Sequence, residues 1–263
     1  MRSWRQDHSP PAALEDTHEP TVLRQRPTGD DRPGTASNSA SGPGPVVVLV
    51  PGLGLDSRSW RLVRKAIDSP SFVVLLPSMG QRAPRGCGLS VECQATRLIA
   101  GLPERAPVVL VGHSASCPVV VEAARRTAQV VGLVLVGPVT DPAAPTWPRM
   151  LEQWARTAAH ERFSEAAVLG PQYRRTGPLS MVRSMDTIRH FRTDVALIGM
   201  DLPVEIVRGQ HDRIASREWS SALRAVCHGR LTTVHGAAHM VPLTHPNAVA
   251  TAVLRAGRAA TAT

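Results

Sequence analysis

The sequence predicts an α/β fold, in which a mostly parallel β-sheet is flanked by helices and carries a helical insertion and a disordered N-terminal tail. Short apolar runs of strand length, rich in β-branched residues, recur along the chain. Segments of helical character separate most of these runs, and this alternation is typical of a parallel sheet covered on both faces. One interval between runs is far longer than an ordinary loop, which indicates an insertion.

Residues 1–45 are predicted to form a disordered tail. They are rich in Pro, Gly, Ser, Thr and charged residues, and they show no apolar periodicity. Such segments bury too little apolar surface to offset the entropy of folding. The first twenty residues also lack the apolar core of a secretory signal, so we expect a cytoplasmic location.

Six apolar segments are predicted as strands, and five helices are predicted around them. The strands are residues 46–50, 72–77, 108–112, 131–137, 203–209 and 230–236. The helices are expected at about residues 58–68, 90–101, 115–128, 215–226 and 243–256. The catalytic or binding core is therefore expected to comprise residues 46–137 and 203–258.

The insertion covers residues 138–202, which are polar, helical in pattern and punctuated by Pro and Gly. Trp147, Leu151 and Trp154 are spaced by four and three residues, which places them on one helical face. We expect some aromatic side chains of the insertion to line an apolar pocket and others to pack it against the sheet. These aromatic residues are Trp147, Trp154, Phe163, Tyr173 and Phe191.

The strongly basic composition raises the question of a nucleic-acid partner. The formal net charge is +9 and the sequence pI is about 10.9. However, Lys65 is the only lysine among 30 Lys and Arg residues, a skew typical of GC-rich coding. The basic residues are scattered, and aromatic residues for base stacking are few. We therefore expect no nucleic-acid partner, and no apolar run is long enough to indicate a membrane partner.

Cysteine and histidine spacing gives no sign of a metal site, a cofactor or a disulfide framework. The four cysteines show neither a CxxC pair nor zinc-finger spacing: Cys87, Cys93, Cys117 and Cys227. No histidine pair has metal-ligand spacing supported by carboxylates. We expect neither metal nor cofactor, and the sequence leaves the oligomeric state open.

Ser114 stands on a sharp turn between a strand and a helix in the stretch VLVGHSASCP. Gly112 and Ala115 are small enough for the strand and the helix to approach closely. Pro118 is tolerated only in the first turn of a helix, so the helix must begin within a few residues of Ser114. Strand, turn and helix in this order form a nucleophile elbow, with the partial positive charge of the helix N-terminus beside the serine.

A serine nucleophile needs a base and an acid that orients the base. In a parallel sheet these residues are expected after later strands, at their carboxyl ends. Asp212 follows the strand at 203–209 in GQHDRIAS, and His239 follows the strand at 230–236 in GAAHMVPLTHP. Asp141, after the fourth strand, is an alternative acid, although Asp212 is the preferred one.

Four segments, each after a predicted strand, together resemble the α/β-hydrolase fold, and the resemblance covers about Val46–Leu254. VPGLGLDSRSW resembles the family's oxyanion loop, with Pro51 where histidine is common. GHSAS resembles the elbow, with Ser116 in place of the last glycine. RGQHD resembles the acid loop, and GAAHMVPLTHP resembles the histidine segment. The two strands that usually precede the first parallel strand in this family are not evident in residues 1–45.

The resemblance implies a serine hydrolase. Ser114 would attack an acyl carbonyl, the backbone N–H groups of Leu53 and Ala115 would form the oxyanion hole, and residues 138–202 would form a lid over Ser114. The substrate is expected to be a small molecule with an apolar acyl group: an ester, a lactone or a thioester. The candidate pocket residues are His113, Trp147, Trp154, Tyr173 and Met240.

Other activities on the same fold stay open at this stage. The same three catalytic residues serve C–C bond hydrolysis, cofactor-free perhydrolysis and acyl transfer in relatives. A non-catalytic ligand-binding member is a further alternative. Fold alone does not separate these activities, because the pocket beneath the lid determines the choice.

Overall fold

The structure, a computed structural model, describes residues 23–25, 44–161 and 163–261, with side chains for residues 44–161 and 167–261. Its strands are β1 (Leu23–Gln25), β2 (Val46–Val50), β3 (Ser71–Pro77), β4 (Gly80–Gln81), β5 (Val108–His113), β6 (Val130–Val136), β7 (Val204–Gly209) and β8 (Arg230–Val234). Its helices are α1 (Arg61–Ala66), α2 (Val91–Ala100), α3 (Cys117–Arg126), α4 (Trp147–Ala158), α5 (Phe163–Thr176), α6 (Pro178–Ile188), α7 (Thr193–Leu197), α8 (Arg217–Cys227), α9 (Val241–Thr244) and α10 (Pro246–Thr261).

The described strands form one sheet in the order β1-β3-β2-β5-β6-β7-β8, and β4 pairs with the end of β3. From β3 to β8 every neighbouring pair is parallel. The central pair, β2 and β5, runs in register from Val46 opposite Val108 to Val50 opposite Gly112. The prediction of a mostly parallel sheet flanked by helices is therefore confirmed.

β1 is an element that the sequence pattern did not predict. It lies inside the predicted tail of residues 1–45 and pairs antiparallel with β3, from Leu23 opposite Leu75 to Gln25 opposite Val73. A strand of three residues at a sheet edge is too short to show a periodicity of its own. The rest of the predicted tail, up to residue 43, lies outside the described residues.

The core consists of two apolar layers, one on each face of the sheet. In β2, Val47 and Leu49 belong to the layer that α1 and α10 cover. Val48 and Val50 belong to the opposite layer, which α2, α3 and α8 cover. Because both faces are buried, successive residues must all be apolar, and β2 therefore reads as an unbroken run instead of an alternating one.

The insertion contributes α4, α5, α6 and α7 between β6 and β7. α7 packs into the core layer beside α3 and α8, through the buried side chains of Ala196 and Leu197. α4, α5 and α6 contact the loops at the carboxyl end of the sheet. No helix in the described part of the chain is long and apolar enough to span a membrane.

Candidate active site

Ser114 occupies a strained position directly after β5. Its φ angle is +56°, in the left-handed region that residues with a Cβ rarely adopt. A single 3-10 turn, Ser114–Ser116, joins β5 to α3, and Pro118 lies in the first turn of that helix. Gly112 allows this close approach, because a Cβ there would lie 2.8 Å from Val120 Cγ2. The turn thus presents Ser114 at the start of a helix.

Ser116, which stands where the elbow pattern usually has glycine, secures the turn. Its side chain is fully buried, and its Oγ accepts a hydrogen bond from His113 N at 2.8 Å. The hydroxyl donates toward the carbonyl oxygens of Val50 and His113, at 2.9 and 3.0 Å. The hydroxyl therefore links the elbow to the end of β2, and the departure from glycine is accommodated by hydrogen bonds.

Asp212 and His239 form a buried pair at the ends of neighbouring strands. His239 Nδ1 lies 2.7 Å from Asp212 Oδ2. The other carboxylate oxygen, Oδ1, accepts from the backbone N–H groups of Ile214 and Ala215, both at 2.9 Å. Asp212 is fully buried, and these three hydrogen bonds hold its carboxylate in one orientation, which directs the imidazole of His239.

The electrostatics of the pair favour a charged Asp212 and a basic His239. Burial alone would raise the pKa of Asp212, but the charge and hydrogen bond of His239, with the two backbone donors, lower it below its ordinary value. Burial alone would lower the pKa of His239. The charge and hydrogen bond of Asp212, and the charge of Glu161, more than offset that effect and raise the pKa.

The structure pairs His239 with Asp212 and not with the alternative acid. Asp141 accepts from Ala143 N at 2.9 Å through Oδ1, and from the Ser216 hydroxyl at 3.4 Å through Oδ2. It lies at the wall of the same cavity as His239 but is not its hydrogen-bond partner.

A cavity of about 360 Å³ lies between the carboxyl end of the sheet and the insertion. Ser114, His239 and Leu53 line it on the side of the sheet. The insertion supplies a mostly apolar wall, in which the predicted pocket residues Trp147, Trp154 and Tyr173 are joined by Leu151, Met150, Met181, Val182 and Met185. Trp154 and Leu151 are more than half exposed, which places them at the mouth of the cavity.

Two predicted pocket residues lie elsewhere. His113 is buried behind the site, with its ring edge-on to Trp60 and 5.1 Å from the ring of His239. Burial, followed by the charge of His239, lowers the pKa of His113 to about 3, so the ring stays neutral. Met240 is also buried, and neither residue lines the cavity in the described part of the chain. Their assignment to the pocket is therefore corrected: both side chains face the protein interior.

The loop after β2, residues 51–56, lies opposite the elbow, and we call it the β2 loop. A Cβ on Gly52 would lie 3.3 Å from Ser114 Cβ, so this loop passes close to the serine. Within the described residues, neither Leu53 N nor the Ser114 hydroxyl makes a hydrogen bond. Ala115 is buried immediately after Ser114. The first N–H groups of a helical turn have no partner within it, so a donor at this position is free to bind a ligand.

Glu161, in the turn between α4 and α5, contacts the site although sequence reasoning did not select it. Its Oε1 accepts from the backbone N–H groups of His239 and Met240, at 2.7 and 3.0 Å. Thr157, on α4, accepts from Arg213 N at 3.0 Å in the same way. These contacts join residues dozens of positions apart, and no local motif signals them.

Among the described residues, no group of three or more His, Cys, Asp or Glu side chains is arranged to hold a metal ion.

Solved structures with the same fold include three hydrolase-related proteins. A lipase-esterase related protein from Clostridium acetobutylicum is 12% identical with a TM-score of 0.68, over 90% of this chain and 99% of that one. Est816, an N-acyl homoserine lactone degrading enzyme, is 16% identical with a TM-score of 0.66, over 81% and 93%. The esterase EaEST from Exiguobacterium antarcticum is 13% identical with a TM-score of 0.66, over 83% and 93%.

A comparison with curated proteins finds no match. The sequence itself matches the profile of the Alpha/beta hydrolase family over residues 47–252, a range that includes the elbow, the buried Asp212–His239 pair and the whole insertion. This chain belongs to the alpha/beta hydrolase family.

Proposed function

We propose that the protein is a serine hydrolase that cleaves a carboxylic ester, lactone or thioester through an acyl-enzyme on Ser114. The observation that carries the proposal is the buried Asp212–His239 pair, which opens onto the same cavity as a serine on a strained turn. Acyl transfer by serine needs a hydroxyl as nucleophile, an imidazole as base and a carboxylate that orients the imidazole.

In the proposed reaction, Ser114 Oγ bonds to the acyl carbon while its proton passes to Nε2 of His239. The resulting oxyanion is stabilised by the N–H groups of Leu53 and Ala115. The C–O or C–S bond of the substrate then breaks, and the leaving group takes the proton from His239. Water then attacks the acyl carbon in the same way, with His239 as the base. The bond to Ser114 Oγ breaks, and the carboxylic acid is released. Asp212 stays charged throughout and holds the imidazole in the productive tautomer.

The apolar wall of the cavity favours a substrate with a small or medium apolar acyl or alkyl group, which would bind against that wall. Most of the side chains on its insertion wall are aromatic, aliphatic or methionine. Burying such a group would contribute about 2 kcal/mol for each side chain's worth of apolar surface. One structural neighbour is named as an N-acyl homoserine lactone degrading enzyme and another as an esterase, which supports this choice of substrate.

The test replaces the nucleophile. Ser114→Ala is expected to reduce turnover of p-nitrophenyl esters by about 10⁴-fold or more, and to abolish labelling by a fluorophosphonate probe. The matched control is Ser220→Ala, which removes a fully buried hydroxyl from α8. It should keep both activities. Undiminished turnover or labelling in folded Ser114→Ala would contradict the proposal.

A further inference from the structure

The β2 loop is held in place by two buried polar side chains of the insertion. The Thr176 hydroxyl, at the end of α5, donates to Gly54 O at 3.1 Å. One turn earlier on the same helix, Gln172 Oε1 accepts from Asp56 N at 2.7 Å. Both side chains are only 1% exposed. A buried polar group contributes to folding only where it is paired, so these side chains define where the loop must lie.

The contact of Thr176 reaches Leu53 N through two rigid peptide groups. Gly54 O, which accepts from Thr176, belongs to the same planar peptide as Leu55 N. Leu55 N donates to Gly52 O at 3.0 Å. Gly52 O in turn belongs to the same plane as Leu53 N. Rotation of the first peptide group therefore breaks the Leu55–Gly52 hydrogen bond and leaves the peptide that carries Leu53 N free to rotate.

Further contacts join the loop to the insertion, either directly or through Ser78. Gly54 N donates to Ser78 O at 2.8 Å, and the Ser78 hydroxyl lies 2.7 Å from the Ser180 hydroxyl on α6. Gly54 has a φ of +77°, and a Cβ there would lie 2.5 Å from Tyr173 Cδ1. Glycine is required because the loop backbone touches the face of α5 that carries Thr176.

We propose that Thr176 is a positioning residue for the oxyanion hole, which aims the N–H of Leu53 at the oxygen of the tetrahedral intermediate. The inference rests on the proposed function. The insertion then has a role beyond covering the cavity, because its helix α5 completes the alignment of a donor that the sheet domain carries. Thr176 itself lies outside the cavity wall, so its effect falls on the transition state and not on ground-state binding.

The test is Thr176→Val, which keeps the shape of the side chain and removes the donor. We expect kcat for a p-nitrophenyl ester to fall about tenfold, because a misdirected donor stabilises the oxyanion less. KM should stay unchanged. A trifluoromethyl ketone, which adds Ser114 Oγ to its carbonyl and leaves an oxyanion, should bind more weakly by the same factor. Thr176→Ser keeps the hydroxyl and should restore kcat to within about threefold.

Thr187→Val is the matched control. The Thr187 hydroxyl, on α6, lies 2.8 Å from Leu89 O of the sheet domain and 2.8 Å from Ser184 O of its own helix, and it has no hydrogen bond to the β2 loop in the described part of the chain. The variant should leave kcat and ketone affinity unchanged. If Thr176→Val does not fold, as judged by thermal unfolding, the smaller Thr176→Ala takes its place.

The outcomes separate this inference from the proposed function. The first requirement is that the Ser114→Ala variant loses turnover. If it keeps turnover, both proposals are overturned. With that dependence established, an unchanged kcat and ketone affinity in folded Thr176→Val would overturn the positioning role alone. An equal loss in Thr176→Val, Thr176→Ser and Thr187→Val would also overturn it, because that pattern indicates general destabilisation.

Discussion

At the scale of single residues, Ser116 explains how the elbow departs from its usual pattern and still forms a tight turn. A glycine at this position leaves room, whereas a serine adds a hydroxyl that must find partners once it is buried. Val50, at the end of β2, and His113, at the end of β5, provide those partners. The hydrogen bonds of Ser116 therefore also link the end of β2 to the end of β5, next to the nucleophile.

Ser116→Ala is expected to lower the free energy of unfolding by about 1–3 kcal/mol, because it leaves the buried N–H of His113 without its acceptor. Urea-induced unfolding measures the change. Ser220→Ala is the matched control, since the Ser220 hydroxyl is buried on α8 and has no hydrogen-bond partner in the described part of the chain. An equal or larger loss in the control would show that the hydrogen bonds of Ser116 do not stabilise the turn.

At the scale of elements, the insertion contacts three of the loops around the candidate site, namely those after β2, β7 and β8. α4 contacts the loop after β7 through the hydrogen bond of Thr157 with Arg213 N. Glu161 contacts the loop after β8, which we call the histidine loop, through the N–H groups of His239 and Met240. α5 holds the β2 loop through Gln172 and Thr176. The geometry of the site therefore depends on the insertion as well as on the sheet.

Glu161→Gln is expected to shift the acid limb of the kcat/KM profile to lower pH. The side-chain oxygen that accepts from His239 N and Met240 N is kept, but the negative charge is lost. That charge helps to raise the pKa of His239, so its removal lowers this pKa. Because His239 acts as a base only when neutral, activity then persists to a lower pH. Asp212, whose pKa is already lowered, does not set this limb.

Glu152→Gln serves as the control for the pH profile. Glu152 is exposed on α4 and pairs with Arg149 and Arg156, away from the histidine loop. Its replacement should leave the acid limb unchanged. A profile for Glu161→Gln that overlays the wild-type profile would show that the charge of Glu161 does not act on His239.

At the scale of the whole molecule, a largely buried ion pair joins the last helix, α10, to the sheet. Arg255, on α10, contacts Glu205 of β7 with two hydrogen bonds, at 2.6 and 3.1 Å. It also donates to Thr232 of β8 at 3.2 Å. Glu205 is 6% exposed, so its charge would be left poorly solvated without Arg255. The pair lies away from the cavity wall.

Arg255→Leu is expected to lower the free energy of unfolding by about 2 kcal/mol, while kcat and KM stay at wild-type values. The loss is moderated by Arg230, which approaches Glu205 to 3.7 Å. Thermal and urea unfolding measure the change. Arg258→Leu, at an exposed position of the same helix, should cost much less. A similar loss in both variants would assign the effect to helix propensity or charge, and not to the buried pair.

The sequence predicted the sheet and the candidate triad because their signals are local. β2 is apolar at every position and β5 is apolar from Val108 to Val111, since both faces of each strand are covered. Asp212 and His239 each follow directly from a strand, and parallel strands bring their carboxyl ends to one edge. β1 was not predicted, because a strand of three residues shows no periodicity. His113 was assigned to the pocket, because its position before Ser114 does not reveal which way its ring points.

By itself, the sequence determined the order of strands and helices, the serine elbow and the residues that follow the later strands, because short-range periodicity and turn chemistry encode them. Only the tertiary structure decided that Ser116 is tied to β2, that Asp212 and not Asp141 pairs with His239, and that Thr176 contacts the β2 loop. Thr176 lies 122 positions from Gly54, and Asp212 lies 27 from His239. Contacts at such separations depend on how whole elements pack, which no local pattern records.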